Sequence, residues 1–174
     1  DYVEAHNNLG NAFLMLGKLE EALSSYRRAL DLKPNFAEAH YNLGNTLQKM
    51  GAFNDAATSY RKTLAIRPDY AEAHSNLGNT LQKMGAFDDA VTSYHKALAI
   101  RPDYAEAHNN LGNVLRDLGR PDDAKTSYHK ALEIEPAFAE AHNNLGNALR
   151  ALGKLDDAVS SYQNALSLQP NAAE

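Results

Sequence analysis

Two stretches of the chain have nearly the same sequence: residues 44–74 read GNTLQKMGAFNDAATSYRKTLAIRPDYAEAH, and residues 78–108 read GNTLQKMGAFDDAVTSYHKALAIRPDYAEAH. They agree at 27 of 31 positions and are offset by 34 residues. The string Glu-Ala-His recurs at the same interval, beginning at Glu4, Glu38, Glu72, Glu106 and Glu140. Such a period is typical of repeat proteins, in which each short unit buries its apolar face against its neighbours. We therefore read residues 1–174 as a single array of five repeats, 3–36, 37–70, 71–104, 105–138 and 139–172.

The positions of glycine and proline predict the structure of one repeat. All ten glycines lie at position 8 or 15 of the repeat, and five of the six prolines lie at position 32. Glycine at position 15 is typical of a helix C-cap, and proline at position 32 ends the following helix. We predict helix A over positions 1–14 and helix B over positions 18–31. Glycine at position 8 lies inside helix A and predicts a close approach of helix B, with the small alanines of position 20 facing it.

The composition excludes several classes of protein. The net charge of -5 argues against non-specific nucleic-acid binding, which depends on cationic contacts to phosphate. The absence of cysteine excludes disulfides, thiolate metal sites and cysteine nucleophiles. No apolar run approaches the ~20 residues of a membrane span, and the first residues lack the basic and apolar regions of a signal peptide. We therefore expect a cytoplasmic protein that binds neither nucleic acid nor a membrane.

Seven residues of the first repeat carry a family pattern: Leu9, Gly10, Phe13, Ala22, Tyr26, Ala29 and Pro34. This pattern resembles the tetratricopeptide repeat (TPR), a 34-residue helix-turn-helix unit. One departure is systematic, because the family's tryptophan at position 4 is replaced by His6, His40, His74, His108 and His142. The resemblance implies an all-α fold, a right-handed superhelix (solenoid) of antiparallel helix pairs in which helix A lines a concave groove. It also implies a scaffold whose groove binds a protein or peptide ligand, as an extended segment or as a helix.

A narrower resemblance concerns residues 105–136, AEAHNNLGNVLRDLGRPDDAKTSYHKALEIEP. This stretch is similar to the repeats of O-linked N-acetylglucosamine transferase and its bacterial relatives, in which asparagines form a ladder along the groove. The resemblance implies an alternative function, in which the chain is the substrate-recognition segment of a glycosyltransferase whose catalytic domain is absent from this sequence.

Two series of asparagines follow the predicted groove. Position 6 holds Asn8, Asn42, Asn76, Asn110 and Asn144, and position 9 holds Asn11, Asn45, Asn79, Asn113 and Asn147. Because a primary amide offers both donors and an acceptor, it can bind an extended peptide backbone without reading its side chains. Alternatively, these amides bridge adjacent A helices or bind turn carbonyls. We favour groove binding at position 6 and the structural role at position 9. Tyr41 joins the predicted groove, and Arg116 and Arg150 make its C-terminal half more basic.

The five A-helix histidines do not predict a metal site. Copies in successive repeats are expected to lie about 10 Å apart, whereas zinc binds nitrogen at about 2.1 Å. We interpret these histidines as half-buried packing residues. The sequence also has no recognisable catalytic triad and no glycine-rich phosphate loop after a strand. We therefore expect no metal, no cofactor and no enzymatic activity.

The ends of the array predict a further kind of partner. After Pro170 only four residues remain, which is too short for a capping helix. The last helix B should therefore leave apolar surface uncovered around Ala158, Tyr162 and Ala165, while the first helix A offers Leu9, Ala12 and Phe13. The third functional alternative is thus a structural assembly module that associates end to end.

Overall fold

The computed structural model describes residues 2–168, which form ten α-helices and no β-strand. The helices are α1 (Tyr2–Met15), α2 (Leu19–Leu32), α3 (Ala37–Lys49), α4 (Phe53–Ile66), α5 (Ala71–Lys83), α6 (Phe87–Ile100), α7 (Ala105–Asp117), α8 (Pro121–Ile134), α9 (Ala139–Ala151) and α10 (Leu155–Leu168). Each repeat contains one helix A and one helix B, and helix B begins one residue earlier than predicted. The predicted all-α class of helix-turn-helix repeats is confirmed.

The turn between helix A and helix B is set by the glycine at position 15. Gly51 has a φ of +77°, and the other four glycines at this position also have positive φ. The Gly51 N–H donates to the Gln48 carbonyl at 3.0 Å, and the Ala52 N–H donates to the Leu47 carbonyl at 2.9 Å. These two bonds form a Schellman motif, which satisfies the last carbonyls of α3. The predicted C-cap role of this glycine is confirmed.

The chain divides into two compact units, Asp1–Ala86 and Phe87–Glu174. In the first unit, α1 packs on α2, α2 on α3, α3 on α4 and α4 on α5. The A helices of this unit, α1, α3 and α5, also contact each other in sequence order. In the second unit, consecutive helices from α6 to α10 pack in the same way, and α7 contacts α9.

The tyrosine at position 24 fills the space that glycine leaves open at position 8. Tyr26, Tyr60, Tyr94 and Tyr128 are fully buried. A Cβ atom added to Gly44 would lie 2.8 Å from Cε1 of Tyr60, and one added to Gly146 would lie 2.6 Å from Cε1 of Tyr162. Helix B therefore approaches helix A closely, as predicted. The group that excludes a Cβ is the tyrosine ring, whereas the sequence had suggested the alanine of position 20.

The apolar surface exposed on α10 differs from the predicted set. Ala158 is buried, and Tyr162 and Ala165 are half-buried. The reason is that position 20 lies in the contact between the two helices of one repeat, so its alanine is buried in all five repeats. The exposed apolar side chains of α10 are instead Leu155, Val159, Leu166 and Leu168. Pro170 and the four residues after it, which entered the prediction, lie outside the described residues.

Candidate functional site

Position 9 links the two helices of a repeat through a tyrosine. The hydroxyl groups of position 24 donate hydrogen bonds to the asparagine Oδ1 atoms of position 9 at 2.7–2.9 Å, in the pairs Tyr26–Asn11, Tyr60–Asn45, Tyr128–Asn113 and Tyr162–Asn147. Burial raises the pKa of Tyr26 and Tyr128 to about 12, and it also raises the pKa of Tyr60 and Tyr94. These hydroxyls therefore remain protonated donors at neutral pH. Asn79 is half-buried like the other four asparagines.

Position 6 bridges adjacent A helices where position 5 is also asparagine. Asn42 Nδ2 donates to Asn7 Oδ1 at 3.0 Å, and Asn7 Nδ2 donates to Glu38 Oε1 at 3.1 Å. The second unit repeats this arrangement, in the bonds Asn144–Asn109 and Asn109–Glu140, both at 3.0 Å. This is the structural alternative that the sequence left open. Each bridge uses one of the two N–H groups of the position-6 amide.

Asn76 departs from this pattern because position 5 of the preceding repeat is Tyr41. Asn76 Nδ2 donates to the Tyr41 hydroxyl at 3.1 Å and to Asn45 Oδ1 at 2.9 Å. The Tyr41 ring is held between two others, with its centroid 4.7 Å from that of Tyr70 and 6.0 Å from that of Tyr60. Tyr41 therefore acts within the structure as an anchor for the Asn76 amide.

The A helices of the first unit form a cavity of about 440 Å³. Its lining residues are Leu14, Asn45, Gln48, Lys49 and Asn76, and we call it the A-helix pocket. It brings together one predicted asparagine from each series, Asn45 and Asn76. Leu14 and Gln48 occupy position 12, from which the candidate site had named only Arg116 and Arg150, and Lys49 occupies position 13. These three residues could have been identified from the sequence by their place in the last turn of helix A.

The hydrogen bonds of the A-helix pocket fix the orientation of two amides. Asn45 Oδ1 accepts from both Tyr60 and Asn76, so its two lone pairs are used, and Asn76 uses both of its N–H groups. Among the described residues, Asn45 Nδ2 and Asn76 Oδ1 have no hydrogen-bond partner. The pocket therefore presents two donors and one acceptor from adjacent A helices. Gln48 Oε1 lies 2.8 Å from the Tyr60 hydroxyl and competes with Asn45 Oδ1, at 2.7 Å, for its single proton.

The other predicted groove residues have varied surroundings. Asn8 is exposed, and Asn110 is half-buried with no side-chain hydrogen bond among the described residues. Arg116 Nη2 lies 3.1 Å from Asp117 Oδ1, so its positive charge is partly balanced by its neighbour. Arg150 is exposed. The basic character of the C-terminal half of the groove stays a prediction.

The histidine at position 4 has a role that sequence reasoning missed. Its Nε2 donates to the carbonyl of the proline six residues earlier at 2.9–3.0 Å, in the pairs His40–Pro34, His74–Pro68, His108–Pro102 and His142–Pro136. This bond closes the loop between helix B and the next helix A. The constant spacing of six residues between proline and histidine could have indicated this bond from the sequence.

Between residues 2 and 168, no helix combines the length and the apolar character that a membrane crossing requires. Over the same residues, no group of three or more histidine, aspartate or glutamate side chains is placed to hold a metal ion.

Sequence profiles of one family match nearly the whole chain. Profiles described as TPR repeat match residues 10–51 and 49–85, and profiles described as tetratricopeptide repeat match residues 69–136 and 110–173. The chain belongs to the tetratricopeptide repeat family. No curated protein sequence matched the chain in a separate search.

Solved structures of TPR proteins are similar over almost the full length. A crystal structure of MamA has 30% sequence identity and a TM-score of 0.88, and the match covers 95% of this chain and 96% of MamA. The TPR protein TTC0263 of Thermus thermophilus has 28% identity and a TM-score of 0.75, with coverage of 98% and 93%. YrrB, described as a TPR protein with an unusual peptide-binding site, has 24% identity and a TM-score of 0.80, with coverage of 96% and 86%.

Proposed function

We propose that this chain is a protein–protein interaction scaffold and that its A-helix pocket binds the backbone of an extended polypeptide segment. The observation that carries the proposal is the pair of unused polar groups, Asn45 Nδ2 and Asn76 Oδ1, at one cavity. Membership of a family of generally non-catalytic scaffolds supports a binding role, as does the peptide-binding site described for YrrB. Enzymatic activity is not expected.

Backbone recognition follows from the chemistry of the two amides. A peptide unit has one carbonyl acceptor and one N–H donor, and the pocket offers a donor at Asn45 and an acceptor at Asn76. Because the Tyr60 and Tyr41 hydroxyls hold the amides in place, little side-chain entropy is lost when a ligand binds. Neither group reads a ligand side chain, so we expect modest affinity and little sequence preference. Lys49, which is exposed at the same cavity, favours acidic residues in the bound segment.

The substitution Asn45→Asp tests the proposal most directly. The aspartate keeps an oxygen that accepts from Tyr60 and Asn76, but it replaces the two N–H donors with a second acceptor. Binding to members of an array of short unstructured peptides should weaken by about tenfold, which is the expected effect of losing one hydrogen bond and gaining an unpaired acceptor. Alanine at Asn42 or Asn76 is a poorer test because it also removes a bridge between A helices.

The matched control is Asn113→Asp in the second unit. Asn113 accepts from Tyr128 as Asn45 accepts from Tyr60, so each variant keeps an oxygen for the tyrosine hydroxyl. Peptides that bind the A-helix pocket should lose affinity for the Asn45→Asp protein and keep it for the Asn113→Asp protein. Unchanged binding in the Asn45→Asp protein, or an equal loss in both, would contradict the proposal.

A second function, end-to-end association, is favoured by the exposed apolar face of α10. Val159 is 54% exposed, whereas the residue at the same position in the first repeat, Leu23, is 3% exposed. Leu166 is also 68% exposed. Inside the second unit, the matching face of α8 packs on α9. We propose that α1 of a second copy covers the α10 face, because α1 corresponds to α9 and exposes Leu9.

Two finer expectations from the sequence also remain proposals. The first is the alternative function as the substrate-recognition segment of a glycosyltransferase, which rests on the similarity of residues 105–136 alone. Such a segment would use the same pocket chemistry. A location in the cytoplasm rests on the composition alone, which includes no cysteine. Neither changes the expected behaviour of the A-helix pocket.

A further inference from the structure

A second cavity of the first unit lies at its B helices and has a volume of about 500 Å³. We call it the B-helix pocket; it is formed by α2, α3, α4 and the loop between α2 and α3. Its volume lies within the range of about 300–1,000 Å³ that is typical of small-ligand pockets. None of its lining residues belongs to the A-helix pocket, so it is independent of the proposed peptide site.

Part of the wall of the B-helix pocket is aliphatic. Leu30, Leu43 and Ile66 line it from three different helices. Two buried polar groups of its lining have partners within the protein, since Ser59 Oγ donates to the Asp55 carbonyl at 2.9 Å and His40 Nε2 donates to the Pro34 carbonyl at 2.9 Å. The other ring nitrogen, His40 Nδ1, is buried and has no hydrogen-bond partner among the described residues. Burial, together with the positive charge of Lys62, lowers the pKa of His40, so its ring is neutral at pH 7. Leu30, Leu43 and Ile66 therefore suit an aliphatic group on a ligand.

The rim of the B-helix pocket carries an excess of positive charge. Arg27 and Lys62 are exposed, and neither forms an ion pair or a side-chain hydrogen bond with another described residue. The third charged residue of the lining, Asp31, lies 3.9 Å from Arg28 outside the pocket, in a pair whose side chains are both well exposed. The lining thus has two cations and one anion, or a net charge of +1. An anionic group on a ligand would complement it.

We infer that the B-helix pocket binds an aliphatic monocarboxylate, with its hydrocarbon chain against Leu30, Leu43 and Ile66 and its carboxylate between Arg27 and Lys62. Arginine and lysine both form charge-assisted hydrogen bonds with carboxylates, and these are stronger than neutral ones. Asp31 opposes binding through its like charge. The same chemistry occurs in a free fatty acid and in the C-terminal leucine of a peptide.

The second unit offers a natural comparison for the two cations. At the corresponding repeat positions, His129 stands in place of Arg27 and Asn164 in place of Lys62. Both residues lie on helices of the same kind, α8 and α10. The double substitution Arg27→His/Lys62→Asn therefore introduces residues that these helix positions accommodate, and it removes both cations at pH 7.

The experiment is a titration of the full chain with octanoate, observed through the methyl NMR signals of Leu30, Leu43 and Ile66. Saturable shifts in the millimolar range or below are expected for octanoate, and none for the uncharged octanamide.

The double variant should bind octanoate at least about tenfold more weakly, as expected when charged hydrogen bonds are lost. Asp31→Ala should bind about twofold to threefold more tightly, because a like charge near the carboxylate is removed. Lys130→Asn, at the same repeat position as Lys62 in the second unit, should bind as the unaltered protein does.

Each result bears on the inference. A parallel titration with an acetylated tripeptide ending in leucine identifies the source: tighter binding of octanoate indicates a free acid, and tighter binding of the tripeptide indicates a chain terminus. If octanamide binds with the same affinity as octanoate, the cations play no part in binding, and this result would overturn the inference. So would octanoate binding that is equal in the double variant, or an absence of saturable shifts for both carboxylates in a protein whose circular dichroism is that of a folded helical chain.

Discussion

The hydroxyl of Tyr60 lies 2.7 Å from Asn45 Oδ1, and this bond joins the buried core of a repeat to the A-helix pocket. The Tyr60 ring is fully buried against the space left by Gly44. The same oxygen of Asn45 accepts from Asn76 of the next repeat at 2.9 Å. Packing between helices α3 and α4 therefore determines which atoms of Asn45 are left for a ligand.

Removal of the Tyr60 hydroxyl should affect both stability and binding. We expect Tyr60→Phe to lower the free energy of unfolding by about 1 kcal/mol, which is typical of one lost hydrogen bond. Peptide affinity should also fall, because the Asn45 amide is less firmly oriented. Tyr128→Phe, which loses the bond to Asn113 in the second unit, is the control and should lower stability without changing peptide binding. Urea denaturation and peptide titration measure the two effects. Equal peptide affinities in the two variants would argue against the link.

A methyl group at Gly44 should destabilise the protein. Alanine normally stabilises a helix by about 1 kcal/mol relative to glycine, yet the new Cβ of Gly44→Ala would lie 2.8 Å from the buried ring of Tyr60. Overpacking of this kind costs about 1–3 kcal/mol, so we expect a net loss of stability. Ser24→Ala, at an exposed position of α2, controls for the change in helix propensity. A Gly44→Ala protein with unchanged or higher stability in urea would show that the helices are not in close contact there.

Stability should rise between mildly acidic and neutral pH because of His40. Burial lowers the pKa of His40, the bond to the Pro34 carbonyl opposes this effect, and the positive charge of Lys62 adds to it. In the interval between the lowered folded pKa and the unfolded value near 6.5, the unfolded state binds more protons than the folded state. The free energy of unfolding therefore increases with pH across this interval and is highest above the unfolded pKa.

An NMR titration of the His40 ring checks this prediction. The measured pKa should lie below the ordinary value for histidine, and Lys62→Asn should move it upward because one nearby positive charge is removed. Arg27 and Asp31, which line the same pocket, contribute charges of opposite sign. A His40 pKa at or above its ordinary value would contradict the prediction, as would a Lys62→Asn variant in which it does not change.

The sequence predicted the features that depend on local geometry. Gly51 could be assigned to a C-cap because it follows a predicted helix in a short turn, where glycine adopts positive φ without strain, and its φ of +77° agrees. The pairing of Tyr60 with Asn45 could not be predicted in the same way, since many residues of helix B face helix A and the repeats are nearly identical. The B-helix pocket depends on the convergence of α2, α3 and α4, which the repeat pattern alone does not specify. The free donor and acceptor of the A-helix pocket could not be predicted either, because they are identified only once the hydrogen-bond partners of Asn45 and Asn76 are known.

Self-association through the α10 face should depend on its exposed apolar side chains. Leu166→Glu places a charge where a second copy would bury leucine, at a cost of several kcal/mol if the contact forms. Because Leu166 is 68% exposed, the substitution should leave the folded monomer intact. Tyr162→Glu is less suitable, since it also breaks the bond from Tyr162 to Asn147 within the repeat. The matched control is Ser160→Glu, which adds the same charge at an exposed polar position of α10.

Sedimentation at increasing protein concentration distinguishes the outcomes of this test. We expect the average mass of the unaltered chain to rise with concentration, and we expect Leu166→Glu to hold it near 19.0 kDa. A contact between α10 of one copy and α1 of the next is heterologous, so each added copy leaves a new α10 face open. The mass should therefore increase without a plateau at the dimer, and Leu9→Glu in α1 should block the increase as Leu166→Glu does. A strict dimer would contradict the head-to-tail contact, and a monomer at all concentrations would contradict self-association itself.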